Sequence, residues 1–134
     1  MDGSGLSKAN RTNTIQLVAL VAAVLRTGGP MAEAFLAALP VAAESGSLKK
    51  RMVGTSAAGR VRAKTGWVNG ASSLSGVATT LSGRTIVFSI LISYPKVSGL
   101  NTRAWKPMQD EICTALVEWT VSYTHLTLPT ICSV

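Results

Sequence analysis

The stretch that decides the reading of this chain is Arg60-Val61-Arg62-Ala63-Lys64-Thr65-Gly66-Trp67. Taken as a strand, it puts Ala63, Thr65 and Trp67 on one face and Arg62, Lys64 and Gly66 on the other. Gly66 has no side chain, so another backbone can lie close against the strand there. An extended peptide can then add to the sheet edge through main-chain hydrogen bonds. Lys64 brings a positive charge and Thr65 a hydroxyl, a pairing suited to a peptide that ends in a carboxylate. By itself a Lys-Thr-Gly triplet recurs by chance, and a solvated strand end before a turn glycine is its commoner explanation.

Working outward toward the C-terminus, the sequence is β in character. Asn69-Gly70 is a strong turn dipeptide. Residues 72–80 read as a second strand, Ser82-Gly83 as a second tight turn, and residues 85–92 as a near-continuous apolar strand of the kind buried on both faces. The expectation is a three-stranded antiparallel meander. Residues 95–102 connect it to a helix over 105–119, in which Met108, Ile112, Ala115, Leu116 and Trp119 form the apolar stripe that packs on one face of the sheet. Asp110 and Glu111 sit in its early turns, as the helix dipole prefers.

In the other direction, residues 54–59 are a small, polar loop that delivers the chain to the strand, and residues 41–47 read as loop, with Ser47 placed to cap one turn through Met52. Residues 31–39 form a short helix that Pro30 starts and Pro40 stops. Before Gly28-Gly29, residues 15–25 are apolar on nearly every face, which predicts a buried core helix capped by Asn13 or Thr14. That run of 11 residues falls short of the ~20 that span a bilayer. Residues 2–10 are rich in turn formers and read as a loop rather than a natural N-terminus.

The whole chain of 134 residues is 47% hydrophobic, enough for one domain or a piece of one. Its net charge of +7, from 13 basic and 6 acidic residues, suits an anionic partner. The basic residues are scattered with few aromatics between them, which argues against nucleic acid. Cys113 and Cys132 make no disulfide framework, and no Cys/His pair has metal-ligand spacing. Residues 121–134 resemble the in-frame translation of a sequencing adapter and are set apart from a natural part, 1–120. That removes His125 and Cys132 from any role and leaves Cys113 as a lone buried thiol.

Three segments occur together: DGSGLSKAN (2–10), SGSLKKRM (45–52) and RVRAKTG (60–66), the last followed by LSG. In that order they resemble the low-molecular-mass penicillin-binding proteins, of the D-alanyl-D-alanine carboxypeptidase/endopeptidase type. The resemblance covers residues 2 to about 119. It implies an α+β fold, the C-terminal part of a penicillin-binding-protein/β-lactamase-like domain with flanking helices. It also implies a serine enzyme of the periplasm or cell envelope that cleaves peptidoglycan stem peptides through an acyl-enzyme and reacts with β-lactam antibiotics, with no metal or organic cofactor and no membrane span.

Carried over by that resemblance, Lys64 is catalytic, supplying positive potential. Thr65 bonds the substrate carboxylate, Gly66 allows close approach, and the Trp67 backbone N–H is one of two oxyanion donors. A small hydroxyl residue is common in the family where this chain has Trp67. No Ser-x-Asn occurs in the sequence, and its one Ser-x-x-Lys, Ser47-Leu48-Lys49-Lys50, reads either as a nucleophile with its base or as a cap before a basic turn. The DGSGLS segment reads either as cleft lining or as a rigid turn-rich loop. The expectation is therefore a fragment that carries the Lys-Thr-Gly strand without the nucleophile. A serine β-lactamase or esterase of the same fold, and a non-catalytic module for an anionic polymer, are the alternatives.

Overall fold

The computed structural model describes residues 10–68, 70–94 and 102–120. Most of the turn-rich opening and all of the adapter-like tail lie outside these residues. The elements run α1 (Thr14–Thr27), α2 (Gly29–Ala38), a 3₁₀ turn (Gly46–Leu48), β1 (Val61–Val68), β2 (Ala71–Thr79), β3 (Thr85–Ser93) and α3 (Thr102–Glu118). The sheet is antiparallel with order β1-β2-β3, the expected meander, in unbroken register from Val61↔Ala78 to Val68↔Ala71 and from Ala71↔Ser93 to Thr79↔Thr85. At the second turn, Gly83 takes a φ of 83°, a left-handed backbone that glycine adopts without a Cβ penalty.

The faces alternate as the strand period demands. Ala63, Leu74, Ala78 and Phe88 look to the side where Cys113 and Val117 of α3 close a buried core, joined from the preceding loop by Leu48, Met52 and Ala57. The buried column of α3 is Gln109, Cys113 and Val117, one position away from the expected stripe, for Met108 and Ile112 are over a third exposed and Trp119 more than half. The reason is polar: Gln109 is drawn inward by partners on two other segments, described below, and turns the helix about its axis. The apolar β3 is likewise an edge strand with one buried side chain, Phe88, rather than a strand buried on both faces.

On the other face of the sheet lies α1. Asn13 caps it with a full capping box: its side chain accepts from Gln16 N, while Gln16 Oε1 accepts from Asn13 N. The expectation of an all-round buried helix is corrected, since Val21 is buried whereas Ile15 and Leu20 are 78% and 60% exposed. Only the stripe that meets α2 and the sheet is covered, and nothing in the described residues packs on the rest. Residues 41–47 also depart from the loop reading. Val41 bridges to Arg62, and both Val41 and Ala42 are buried. Ser45, not Ser47, precedes the 3₁₀ turn, and its hydroxyl accepts from Val41 N at 2.9 Å.

Candidate functional site

The outer edge of β1 is divided in two. Ala42 N donates to Val61 O at 2.9 Å and Ala63 N donates to Pro40 O at 3.0 Å, so the first part of the edge is already paired. These bonds fix the parity of the strand: residues 61 and 63 turn their main-chain groups away from β2. With the register unbroken, Thr65 and Trp67 turn theirs the same way. Among the described residues no backbone partner meets them, and the only group on that side is the Lys64 ammonium, which donates to Thr65 O at 2.7 Å. Two residues of open edge therefore sit at the Lys64-Thr65-Gly66 triplet.

Beside this edge, on the Thr65 face, lies a cleft of about 320 Å³ between β1, α3 and the 3₁₀ turn. Ser47 and Arg51 line it from the turn, Thr65 and Trp67 from β1, and Trp105 and Lys106 from α3. Thr65 Oγ1 donates to Ser47 Oγ at 2.9 Å. This uses the threonine proton and leaves the serine proton free to donate, so the pair still offers one O–H. No hydrogen bond joins Ser47 to Lys50 among the described residues, which leaves the Ser-x-x-Lys spacing without the contact that a nucleophile and its base need.

The floor of the cleft is a buried polar network. The Arg51 guanidinium donates through Nε to Asp110 Oδ1 at 2.9 Å, with Nη2 2.6 Å from the same oxygen. Its Nη2 also donates to Lys106 O at 3.2 Å and to Gln109 Oε1 at 3.1 Å. Gln109 Nε2 in turn donates to Ser72 Oγ at 3.3 Å. Three segments far apart in sequence are thus tied beneath the triplet. Below them, burial pushes the Cys113 thiol up to about 12, Asp110 adding to the rise and Arg51 opposing it. Cys113 is therefore an inert, protonated packing residue.

The mouth of the cleft is aromatic. Trp67 Nε1 donates to Tyr94 Oη at 3.2 Å, and Tyr94 stacks on Trp105 with ring centroids 5.4 Å apart. A Cβ added to Gly66 would run into Ser73 Oγ, its cross-strand partner, so the glycine also makes room inside the sheet. Of the residues expected from the sequence, the structure brings Thr65, Gly66 and Trp67 to the cleft, while Lys64 projects from the opposite face with its ammonium curled to the open edge. Sequence reasoning missed Arg51, Ser72, Trp105 and Gln109. A larger hollow of about 460 Å³ lies under α1 and α2 on the far face, lined by Leu25, Leu36 and Val87, away from the triplet.

The described residues form a small antiparallel sheet with helices on both faces, and the β1 edge, unpaired with other backbone at Thr65 and Trp67 among them, opens on a cleft. The fold matches that of penicillin binding protein 4 (dacB) from Haemophilus influenzae, with a TM-score of 0.77 at 21% identity over 88% of this chain and 27% of that one. A second structure of the same protein, complexed with a novel β-lactam, matches with a TM-score of 0.71. The chain belongs to the D-Ala-D-Ala carboxypeptidase 3 (S13) family, whose sequence profile covers residues 1–116. It is 38% identical to the D-alanyl-D-alanine carboxypeptidase of Actinomadura sp. over 123 residues, 88% of this chain and 21% of that protein. It is 37% identical to the carboxypeptidase DacB of Mycolicibacterium smegmatis over 95 residues, 68% of this chain and 21% of that protein. The chain spans about a fifth of the length of these two relatives.

Proposed function

We propose that this chain forms one wall of the active site of a serine-type D-Ala-D-Ala carboxypeptidase/endopeptidase that cleaves peptidoglycan stem peptides through an acyl-enzyme and is acylated by β-lactams. The observation that carries this reading is the edge of β1, paired up to Ala63 and, among the described residues, without a backbone partner at Thr65 and Trp67, beside a cleft with hydroxyls and cations. A ligand strand can pair with Thr65 and Trp67 but meets Pro40 beyond Ala63, so it has to end there. The Ser47–Thr65 hydroxyls, with Arg51 and Lys106 beside them, suit a terminus that is a carboxylate.

In this reading Thr65 and Ser47 hold the carboxylate and the Trp67 N–H points at the scissile carbonyl oxygen, a donor worth about 3 kcal/mol once that oxygen gains charge. Lys64 keeps the potential at the edge positive. The acylated serine comes from sequence outside these residues, and the whole enzyme acts in the periplasm or cell envelope. Gly66 lets the ligand lie flat. A serine β-lactamase or esterase would use the same wall. A pure anionic-polymer module has no use for a bare strand edge.

The test is a chimera in which this chain replaces the matching 123 residues of the Actinomadura carboxypeptidase. A fluorescent penicillin is expected to label it covalently. Lys64→Ala should slow acylation about tenfold or more and Thr65→Ala somewhat less, because removing a charge-assisted partner costs about 1.5–3 kcal/mol and a neutral hydrogen bond roughly 1–2. The 134-residue chain alone should take up no label. A folded chimera that no β-lactam acylates, or variants that acylate at the parent rate, would overturn the reading.

A further inference from the structure

The outward parity of β1 leaves Trp67 poorly held. Its main-chain groups turn away from β2, so the strand ladder secures Gly66 beside it, through Ser73, but not Trp67 itself. An N–H that has to meet a developing charge works only if it is fixed beforehand. What fixes this one lies on α3.

Two ties run from Trp67 to that helix. The first passes through the side chain: the indole donates from Nε1 to Tyr94 Oη at 3.2 Å, and the Tyr94 ring stacks on Trp105 with centroids 5.4 Å apart. The second passes through the cross-strand neighbour. Ser72 stands opposite Trp67 in a pair of the closer, non-hydrogen-bonded kind, and its hydroxyl accepts from Gln109 Nε2 at 3.3 Å. Trp105 and Gln109 are one turn apart, at i and i+4, so both ties end on the same face of α3.

The second tie has a defined direction. Gln109 is 1% exposed, and its Oε1 accepts from Arg51 Nη2 at 3.1 Å. A guanidinium donates and never accepts, so it dictates which end of the amide faces it and leaves Nε2 turned to Ser72. Arg51 is held in turn by Asp110 Oδ1 and Lys106 O, both also on α3. The buried network beneath the cleft thus reaches the strand edge through one amide and one hydroxyl. Tyr94 N also donates to Gly70 O at 2.9 Å, which joins the end of β3 to the turn beyond Val68.

We infer that Tyr94, Ser72 and Gln109 are positioning residues: through them α3 clamps the Trp67 end of the β1–β2 hairpin and aims the Trp67 N–H at the oxygen that gains charge. The Trp67 indole then serves as a strut to the helix and not as a surface for the ligand's side chains. This rests on the proposed function for the role of that N–H, whereas the clamp itself can be read without a ligand.

Two measurements test it. In the full 134-residue chain, ¹⁵N relaxation gives an order parameter for each backbone amide. Trp67 should match Gly66 at about 0.85 in the parent. In the double variant Ser72→Ala, Tyr94→Phe it should fall to about 0.6 or below, while Gly66, still in the ladder, keeps its value. A Trp67 amide that stays rigid, or two amides that loosen together, would overturn the clamp. In the chimera, the noncovalent dissociation constant for a penicillin and the acylation rate constant are measured separately. The same double variant should lower the rate constant at least tenfold, about 1.4 kcal/mol, and change the dissociation constant less than about twofold, since the N–H bonds the oxygen most strongly once charge develops. Ser72→Thr, which keeps the hydroxyl, should acylate close to the parent rate. Weaker binding at an unchanged rate, or a Ser72→Thr chimera as slow as Ser72→Ala, would overturn the inference while the carboxypeptidase reading stands. A chimera that takes up no penicillin even with all three residues intact would bring down the carboxypeptidase reading instead, with the relaxation result still deciding the clamp.

Discussion

Val61 and Ala63 give their outward main-chain groups to Ala42 and Pro40, whereas Thr65 and Trp67, a few residues along the same strand, meet no backbone partner among the described residues. The sides of the strand differ in the same sense. Val61 and Ala63 are wholly buried, while Lys64 and Trp67 are exposed. An open edge normally invites pairing with another chain, and short length and a lysine are common ways to limit that risk. Here one strand is half covered scaffold and half open edge. In the proposed function, the join between the halves, at Lys64, is where a ligand strand has to stop.

Two glycines give the sharpest way to break this contrast. Gly76 lies opposite Ala63 in the covered half, where an added Cβ would collide with Arg62 O and come within 2.8 Å of Ala63 Cβ. Backbone cannot step aside, so Gly76→Val should destabilise the chain by about 3 kcal/mol or more, read as loss of a cooperative urea transition. Next in size is Arg51→Met, which leaves Asp110 and Gln109 without their guanidinium. A loss of roughly 2–4 kcal/mol is expected, and Arg51→Met with Asp110→Leu should recover part of it, since the penalty comes from an orphaned charge. If the double variant is no better than the single one, the network matters through packing and not through charge.

The core beneath the covered half has its own signature in pH. The Cys113 thiol titrates at about 12 in the folded chain against an ordinary 9.0, so between those values the native state keeps a proton that the unfolded chain has lost. Stability from this group is whole below pH 9 and falls as pH rises from there toward 12, by up to about 1.4 kcal/mol per pH unit. Denaturation curves for the parent and Cys113→Ala should converge over that range; parallel curves would mean that the thiol ionises freely. The smallest effect belongs to the open half. Gly66→Ala meets only Ser73 Oγ, a side-chain end that can rotate, so the cost should be about 1 kcal/mol. Ser73→Ala in the same chain should restore it. A loss as large as that for Gly76 would show that the open half is as rigid as the covered one.

Much of this was legible in the sequence, for local reasons. The meander follows from turn dipeptides and strand-length apolar runs, α1 begins at an Asn-x-x-Gln cap, and the triplet falls on the strand read for it. What escaped depends on contacts that no local pattern carries. Arg51 and Gln109 stand 58 positions apart, and the network they build buries a glutamine where periodicity reads a polar face. Only the spacing of Gln109, Cys113 and Val117 at i, i+4 and i+8 hinted at it. The pairing of Pro40 and Ala42 with β1 was hidden because a proline and two alanines flanking a valine read as a loop. For α1 an all-round apolar face did not mean burial, because burial needs neighbours, and the described residues supply them on one side only.

In kinetic terms, the meander and the cleft are made on different schedules. The sheet is closed by two tight turns within Val61–Ser93, so its contacts are short in sequence and cheap in loop entropy. The Arg51–Asp110 pair closes a separation of 59 residues and has to wait for α3 to dock. Changes in the hairpins are therefore expected to slow refolding, and changes at Arg51 to quicken unfolding while leaving the refolding rate almost untouched. The chain would then lose its cleft well before its strand order, with the triplet still in register on a sheet that no longer has a pocket beside it.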